Sequence, residues 1–314
     1  LENKSQLCTV KHKVVDATHR LCTSRAQALK VLLEGDDIVI APGAYDCWSA
    51  RLVELSGFPA IYMTGYGVTA ASLGMPDLGL ITGSEMADQV RRISDVTSIP
   101  LLADADTGFG GVLNVRRTVR DYVRAGAAAI QLEDQVSPKR CGHMENKQVI
   151  DSAEMIEKIR MAVEARGDAQ LQIIARTDAR ATHDLDEALR RGERYLHAGA
   201  DILFVEAPRT EEEMSRICTT FQGEKLLANM VEAGKTPYLD TATLQQIGYA
   251  IAIYPATLLF SATRAVEQTL SQLREGGVHT DNITSFQQFN QRIGLQDYFD
   301  ATEHIRTTAV EYAK

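Results

Sequence analysis

Asp104 and Asp106, with only Ala105 between them, and the acidic pair Glu133-Asp134 are hard oxygen donors of the kind that hold a divalent cation. Such a group suits Mg2+, which keeps several waters and takes few direct carboxylates; Mn2+ accepts the same donors. The competing role is helix capping, because Asp often closes a helix N-terminus. Arg176, in Ala175-Arg176-Thr177-Asp178, offers an always-charged planar fork suited to a carboxylate or a developing enolate oxygen. A structural ion pair with Glu206 or Asp178 is the alternative. Cys141 lies in Lys139-Arg140-Cys141-Gly142-His143, where cationic neighbours lower a thiol from about 8.5 and open thiolate and proton-transfer roles. An inert buried cysteine is the bland alternative. His143 either touches a ligand or orders its loop. Gly108-Phe109-Gly110-Gly111 follows carboxylates without the lysine of a phosphate-binding loop, so it reads as a turn.

These residues need elements to carry them. Short β-rich apolar runs at 38–41, 60–64, 100–104, 128–133, 172–176, 202–206, 225–228 and 250–254 alternate with amphipathic stretches. The helical stretches are 47–56, 83–97, 114–125, 152–164, 185–198, 211–221 and 241–247, with a last helix from about 257. Eight βα units predict a (β/α)8 barrel, with a doubly wound sheet as the alternative because periodicity does not show closure. Thr64, Asp104 with Asp106, Glu133, Arg176, Glu206 and Asn229 all fall at or just past strand C-terminal ends, which in a barrel converge on one face. Two long connections, 65–83 and 134–151, are expected as loops on that face, and the second carries the cysteine motif.

A chain of 314 residues suits one barrel domain over 1–314, with an N-terminal arm at 1–24 and a helical tail at 277–314. Phe286, Phe289, Tyr298 and Phe299 in that tail predict burial against a neighbouring subunit. The net charge of −9 offers no basic stripe, so nucleic acid is not an expected partner. No apolar run reaches the roughly 20 residues of a bilayer span, and the polar N-terminus has no signal-peptide core, so no membrane partner is expected. Five scattered cysteines fit neither a zinc pattern nor an even disulfide framework. A reducing, cytoplasmic setting is expected, and a mitochondrial one stays open.

Over essentially its whole length the chain resembles the isocitrate lyase and phosphoenolpyruvate mutase superfamily. The resemblance rests on Ser72-Leu73-Gly74-Met75-Pro76-Asp77, Asp104-Ala105-Asp106-Thr107-Gly108-Phe109-Gly110, Glu133-Asp134-Gln135, Lys139-Arg140-Cys141-Gly142-His143 and Ala175-Arg176-Thr177-Asp178. It implies a (β/α)8 barrel whose C-terminal helix is swapped between subunits, usually in a homotetramer. It further implies Mg2+ bound most directly by Asp104, with Asp77, Asp106 and Glu133 holding its waters. Thr64, Gly65 and Arg176 would grip the 2-oxo-acid half of a small dicarboxylate, and Gly142, His143 and Asn229 the other carboxylate. Glu206 would orient Arg176, Tyr62 would help manage the hydroxyl proton, and Cys141 would protonate carbon after C–C cleavage.

The cysteine motif favours the lyase branch, since phosphonate-forming mutases generally lack it. Methylisocitrate lyases resemble the chain but carry an arginine where Phe260 stands in Tyr254-Pro255-Ala256-Thr257-Leu258-Leu259-Phe260. Oxaloacetate hydrolases are marked by a serine aligned with Pro255. The resemblance is therefore greatest to the branch of 2,3-dimethylmalate lyase, oxaloacetate hydrolase and petal death protein, and implies cleavage of an alkylmalate, 2,3-dimethylmalate foremost. Oxaloacetate hydrolysis and then methylisocitrate cleavage are the alternatives. A barrel that kept the fold without chemistry is the other class, against which the complete set of metal, arginine and cysteine residues argues.

Overall fold

The computed structural model describes residues 24–142, 146–277 and 280–312. Eight strands, β1 (Val39–Ala44), β2 (Ile61–Met63), β3 (Leu101–Asp104), β4 (Ala129–Glu133), β5 (Gln172–Thr177), β6 (Ile202–Val205), β7 (Lys225–Asn229) and β8 (Ile251–Tyr254), pair in sequence order, all parallel. β1 also pairs with β8, Val39 opposite Ile251, which closes the barrel and removes the doubly wound alternative.

Successive side chains on a strand point to opposite faces, and here that period sorts core from chemistry. Ile130 and Leu132, Ile173 and Ala175, and Leu101 and Ala103 pack in the layer beneath the helices. The alternate residues Leu102, Ala129, Ile174, Ile202, Phe204, Leu227, Ile251 and Ile253 fill the barrel. The next positions of the inward set, one step along each strand, are Asp104, Gln131 then Glu133, Arg176, Glu206, Asn229 and Pro255. Packed hydrocarbon below thus forces the polar groups to the C-terminal mouth.

The connections begin as capping chemistry dictates. Thr64 accepts from the Gly67 amide and starts a helix, Gly65–Leu73, which ends at Gly74 in the left-handed conformation (φ 63°). The stretch 65–83 is therefore not a continuous loop: its first half is a capped, Ala-containing helix. The aspartates at 104 and 106 do not cap the helix that follows them: Val112–Ala125 starts at Gly111 without a side-chain cap. The glycine-rich segment is a turn, with Gly108, Phe109 and Gly110 all at positive φ.

The described chain divides into two compact units. One spans Thr23–Arg264 and contains the barrel. In the other, helices Phe286–Ile293 and Leu295–Tyr312 form the tail, with Phe286, Tyr298 and Phe299 exposed. No helix among the described residues is long and apolar enough to cross a membrane.

Candidate active site

A cavity of about 290 Å³ opens at the barrel mouth, lined among others by Tyr62, Thr64, Asp77, Asp104, Glu133, Cys141, Gly142, Arg176, Glu206, Asn229, Pro255 and Phe260. Strands β2 to β8 contribute through inward residues at or just past their ends, so residues far apart in sequence meet here. Gly65 and Asp106 sit just behind the wall. The Gly65 amide donates to Asp104 Oδ2 at 3.3 Å, and a Cβ at Gly65 would lie 2.7 Å from that oxygen, so only glycine admits the carboxylate. His143 lies outside the described residues, as do residues 1–23 of the N-terminal arm.

The carboxylates are buried and crowded. Asp104 Oδ1 accepts from the Asp106 amide (3.1 Å) and from Gln131 Nε2 (3.3 Å), while Tyr62 Oη donates to Gln131 Oε1 (3.1 Å). Lys139 Nζ lies 2.6 and 2.7 Å from Asp77 and 2.8 Å from Asp106 Oδ1. Lys139 thus serves the carboxylates; the sequence had suggested it only as a cation acting on the Cys141 thiol. Burial pushes the Asp106 carboxyl up to about 7, with Lys139 opposing and Asp104 and Asp77 adding to the rise. Burial likewise drives Glu133 well above the usual carboxylate range, against the pull of Arg176 and Lys139. For Lys139, burial works against the charge, but Asp106, Glu133, Asp77 and Asp104 outweigh it and hold the ammonium protonated.

This donor set fits Mg2+. Glu133 Oε1 is buried with no hydrogen-bond partner, an oxygen with a lone pair to give. Among the described residues no three acidic, histidine or cysteine groups close directly around an ion. An ion taking one or two carboxylates and filling its octahedron with water matches that spacing, whereas one needing a full protein cage does not.

Arg176 is the positive counterpart. Its Nε reaches Asp178 Oδ2 at 2.9 Å, Nη1 lies 3.3 Å from Glu133 and Nη2 3.3 Å from Glu206, and its guanidinium stacks 5.2 Å over the Phe204 ring. The ion-pair reading of Arg176 holds, and the guanidinium also lines the cavity. Asn229 Nδ2 faces the Glu206 carboxylate at 3.2 and 3.4 Å. Gly142 presses on this group so closely that a Cβ would stand 2.6 Å from Arg176 Nη2 and 2.7 Å from the Glu206 carboxylate. Cys141 beside it is half-buried, as is Cys47, while Cys218 is buried, and none of the three is in a disulfide. Tyr62 is fully buried, and burial first, then Asp104, raises its phenol well above the ordinary value, so it is a neutral donor.

Asp134 departs from the sequence reading that grouped it with the metal donors. It turns away from the cavity to accept from Thr177, Tyr195, Arg191 and the Asp178 amide. Four residues escaped the sequence reading as site residues. Gln131 was legible in principle, as the inward partner of Glu133 two residues earlier. Tyr66 meets Phe260 edge-on, ring centroids 6.2 Å apart, and Glu232 joins the same wall by accepting from Thr257. Lys147, with Nζ 2.5 Å from Asp178, gave no pattern signal.

Residues 29–274 match the family model for phosphoenolpyruvate phosphomutase. A 2,3-dimethylmalate lyase of Eubacterium barkeri is 47% identical over 285 residues, covering 90% of this chain and 98% of that protein. A 2-methylisocitrate lyase of Aeropyrum pernix is 45% identical over 90% of this chain and 92% of its own length. Among solved structures, an oxaloacetate acetylhydrolase in complex with 3,3-difluorooxalacetate superposes with a TM-score of 0.86 at 36% identity, covering 90% of this chain and 97% of that one. The chain belongs to the phosphoenolpyruvate mutase family, within the isocitrate lyase/phosphoenolpyruvate mutase superfamily, and stands there as a carbon–carbon lyase.

Proposed function

We propose that the enzyme is Mg2+-dependent and cleaves the C2–C3 bond of a 2-hydroxy-dicarboxylate, 2,3-dimethylmalate above others, to pyruvate and propionate. The observation that carries the choice of substrate is the wall formed by Phe260 edge-on to Tyr66, beside Pro255, within the cavity that holds Cys141 and Arg176. Hydrocarbon there receives a methyl-bearing carbon. A third carboxylate would meet the Phe260 ring there, with no arginine at that position to pair it. The 45% identity to a 2-methylisocitrate lyase keeps that tricarboxylate among the substrates to be tested.

Asp104, with Asp77, Asp106 and Glu133, would hold Mg2+, which when bound would supply Lewis acidity to the 2-hydroxy-carboxylate. Arg176 and Thr64 hold the half that becomes pyruvate, and Glu206 and Asp178 fix the angle of the guanidinium. Tyr62, kept neutral by burial, hydrogen-bonds at the hydroxyl. As the hydroxyl proton departs, its electron pair forms the ketone, and the C2–C3 pair flows into an enediolate on the second carboxylate. Gly142 and Asn229 line the cavity where that carboxylate would lie, and His143 is the further group that the family resemblance assigns to it. Cys141 then gives its thiol proton to C3, and the proton released from the hydroxyl to solvent is matched by one that solvent returns to the thiolate, so the reaction balances.

The 36% identity to an oxaloacetate acetylhydrolase supports a second reading, hydrolysis of oxaloacetate to oxalate and acetate. Pro255 weighs against it, because proline offers no hydroxyl to a hydrated ketone. We also infer that a second copy of the chain covers Val266, Leu270 and Leu273, an exposed stripe at helical spacing on helix Thr257–Arg274, by helix exchange within a tetramer. Mass measurement in solution tests that assembly.

One panel tests the substrate: 2,3-dimethylmalate, other alkylmalates, methylisocitrate, isocitrate and oxaloacetate, each with Mg2+ and with chelator, products identified. Dimethylmalate should give the highest kcat/KM, and chelator should stop turnover. Methylisocitrate as best substrate would end the argument from Phe260, and oxaloacetate as best substrate the argument from Pro255.

A further inference from the structure

Lys147 is a buried ammonium that none of these steps uses: its side chain is 1% exposed and that of its partner Asp178 0%. Burying an ammonium is costly unless it is both paired and hydrogen-bonded, and a hydrocarbon side chain would fill the space without that cost. Lys147 meets the condition at two points. Its Nζ lies 2.5 Å from Asp178 Oδ1, and it also donates to the Gly142 carbonyl oxygen. The same Asp178 carboxylate accepts from Arg176 Nε at 2.9 Å and Nη2 at 3.1 Å.

Gly142 is therefore pinned from two sides. Its α-carbon leaves no room for a Cβ against Arg176 and Glu206. Its carbonyl is tied through Lys147 to the carboxylate that orients Arg176. Cys141 is the next residue, lining the same cavity. We propose that Lys147 is a positioning residue that seats Gly142 against Arg176 and so sets where the Cys141 thiol meets the substrate carbon. The inference rests on the proposed role of Cys141 as proton donor. It also explains why a charge is buried here: the cation bridges two segments that must hold one register, the cysteine motif and the end of β5.

The test uses Lys147→Met, which keeps the volume and removes the charge, and Lys147→Arg, which keeps the charge. Cys141 is alkylated with iodoacetamide, with half-buried Cys47 of the same molecule as internal reference. Cleavage of 2,3-dimethylmalate is then run in deuterated water and the configuration of the deuterium at C2 of propionate determined. In Lys147→Met, Cys141 should alkylate several-fold faster relative to Cys47. A misplacement of about 1 Å in such a group costs about 10²-fold in rate, so kcat should fall by ~10- to 100-fold with KM little changed. Deuterium should enter C2 with mixed configuration, because solvent reaches the carbon in place of a fixed thiol. Lys147→Arg should recover part of each effect. An unchanged Cys141 to Cys47 labelling ratio with unchanged deuterium configuration overturns the proposal, even if kcat and Tm fall together, since that pattern is purely structural. If Lys147→Met does not fold, Lys147→Gln, which keeps a donor for the Gly142 carbonyl without the charge, is read by the same criteria. Should the wild type fail to turn over dimethylmalate, the substrate reading falls, while the labelling ratio still decides how Cys141 is seated.

Discussion

Glu133 and Asp134 are neighbours in sequence, both carboxylates and both buried, yet their surroundings are opposite. Glu133 ends β4 on an inward position, with one oxygen 3.3 Å from Arg176 and the other without a hydrogen-bond partner. Asp134, one residue further, turns behind the mouth. Its Oδ2 accepts from Thr177 (2.8 Å), Tyr195 (2.8 Å) and Arg191 (3.0 Å), and its Oδ1 from the Asp178 amide (2.9 Å). A satisfied carboxylate can do little except hold things together; an under-satisfied one in a cavity is ready for a cation. The contrast separates scaffold from chemistry better than burial or charge alone.

If that separation is right, substitutions on the two sides must fail differently. The largest effect belongs to the cavity: Cys141→Ser should lower kcat by about 10²- to 10⁴-fold, the worth of a general acid, with KM and melting temperature nearly unchanged. Steady-state kinetics beside thermal melts decide it, and a variant with wild-type kcat would remove Cys141 as proton donor.

Glu133→Gln comes next. Groups that hold a metal's surroundings typically contribute about 10- to 100-fold in affinity, so Mg2+ activation should weaken by that much. Stability in chelator should not fall, because glutamine keeps the size of the protonated carboxyl that burial favours there. The pH dependence gives the sign. The folded-state value of Glu133 lies above its ordinary value, so the native state binds more protons than the unfolded one. In chelator, stability should therefore decline as pH rises above about 4.5, the ordinary glutamate range, and Glu133→Gln should flatten that decline. A steeper decline in the variant would contradict the assignment.

Asp134→Asn should do the reverse. Removing one partner from a buried charged network costs about 3 to 5 kcal/mol, seen as a melting temperature lower by several degrees. At temperatures where the variant stays folded, KM and Mg2+ activation should remain close to wild type. Loss of Mg2+ activation without loss of stability would erase the distinction from Glu133.

The same pair shows what the sequence could and could not reveal. Strand periodicity carried most of the architecture, because alternating runs such as Ala129-Ile130-Gln131-Leu132-Glu133 announce which side chains face inward. That is why Asp104, Glu133, Arg176, Glu206 and Asn229 were identifiable as mouth residues. Beyond the strand end the period stops, and direction becomes a matter of tertiary partners. Asp134 and Lys139 were legible as charged residues near the site, but not which way they turn. Gly65–Leu73 was missed as a helix because its start depends on a cap by Thr64, a residue expected only to grip substrate. Lys147 was invisible because its two partners, Gly142 and Asp178, come from a loop and from the next strand. The proposed substrate came only through resemblance, at Pro255 and Phe260, and the structure adds Tyr66 as the ring that Phe260 meets edge-on.

The smallest expected effect extends the contrast to thiols. Cys218 faces the packed layer beneath the helices, beside Leu226, Tyr249 and Ile217, and burial alone pushes its thiol up to about 12. Only the thiolate reacts, so raising the pH to 9 should leave Cys218 protonated and unlabelled in the folded enzyme. Cys141, lining a cavity, should label under the same conditions. Denaturant should make Cys218 react at the ordinary rate of a cysteine, while activity in native buffer is untouched by Cys218→Ala. Mass spectrometry of labelled peptides reads both sites in one sample. Rapid native labelling of Cys218 would show that the layer around it opens, and the division between a closed scaffold and an open chemical face would have to be redrawn there.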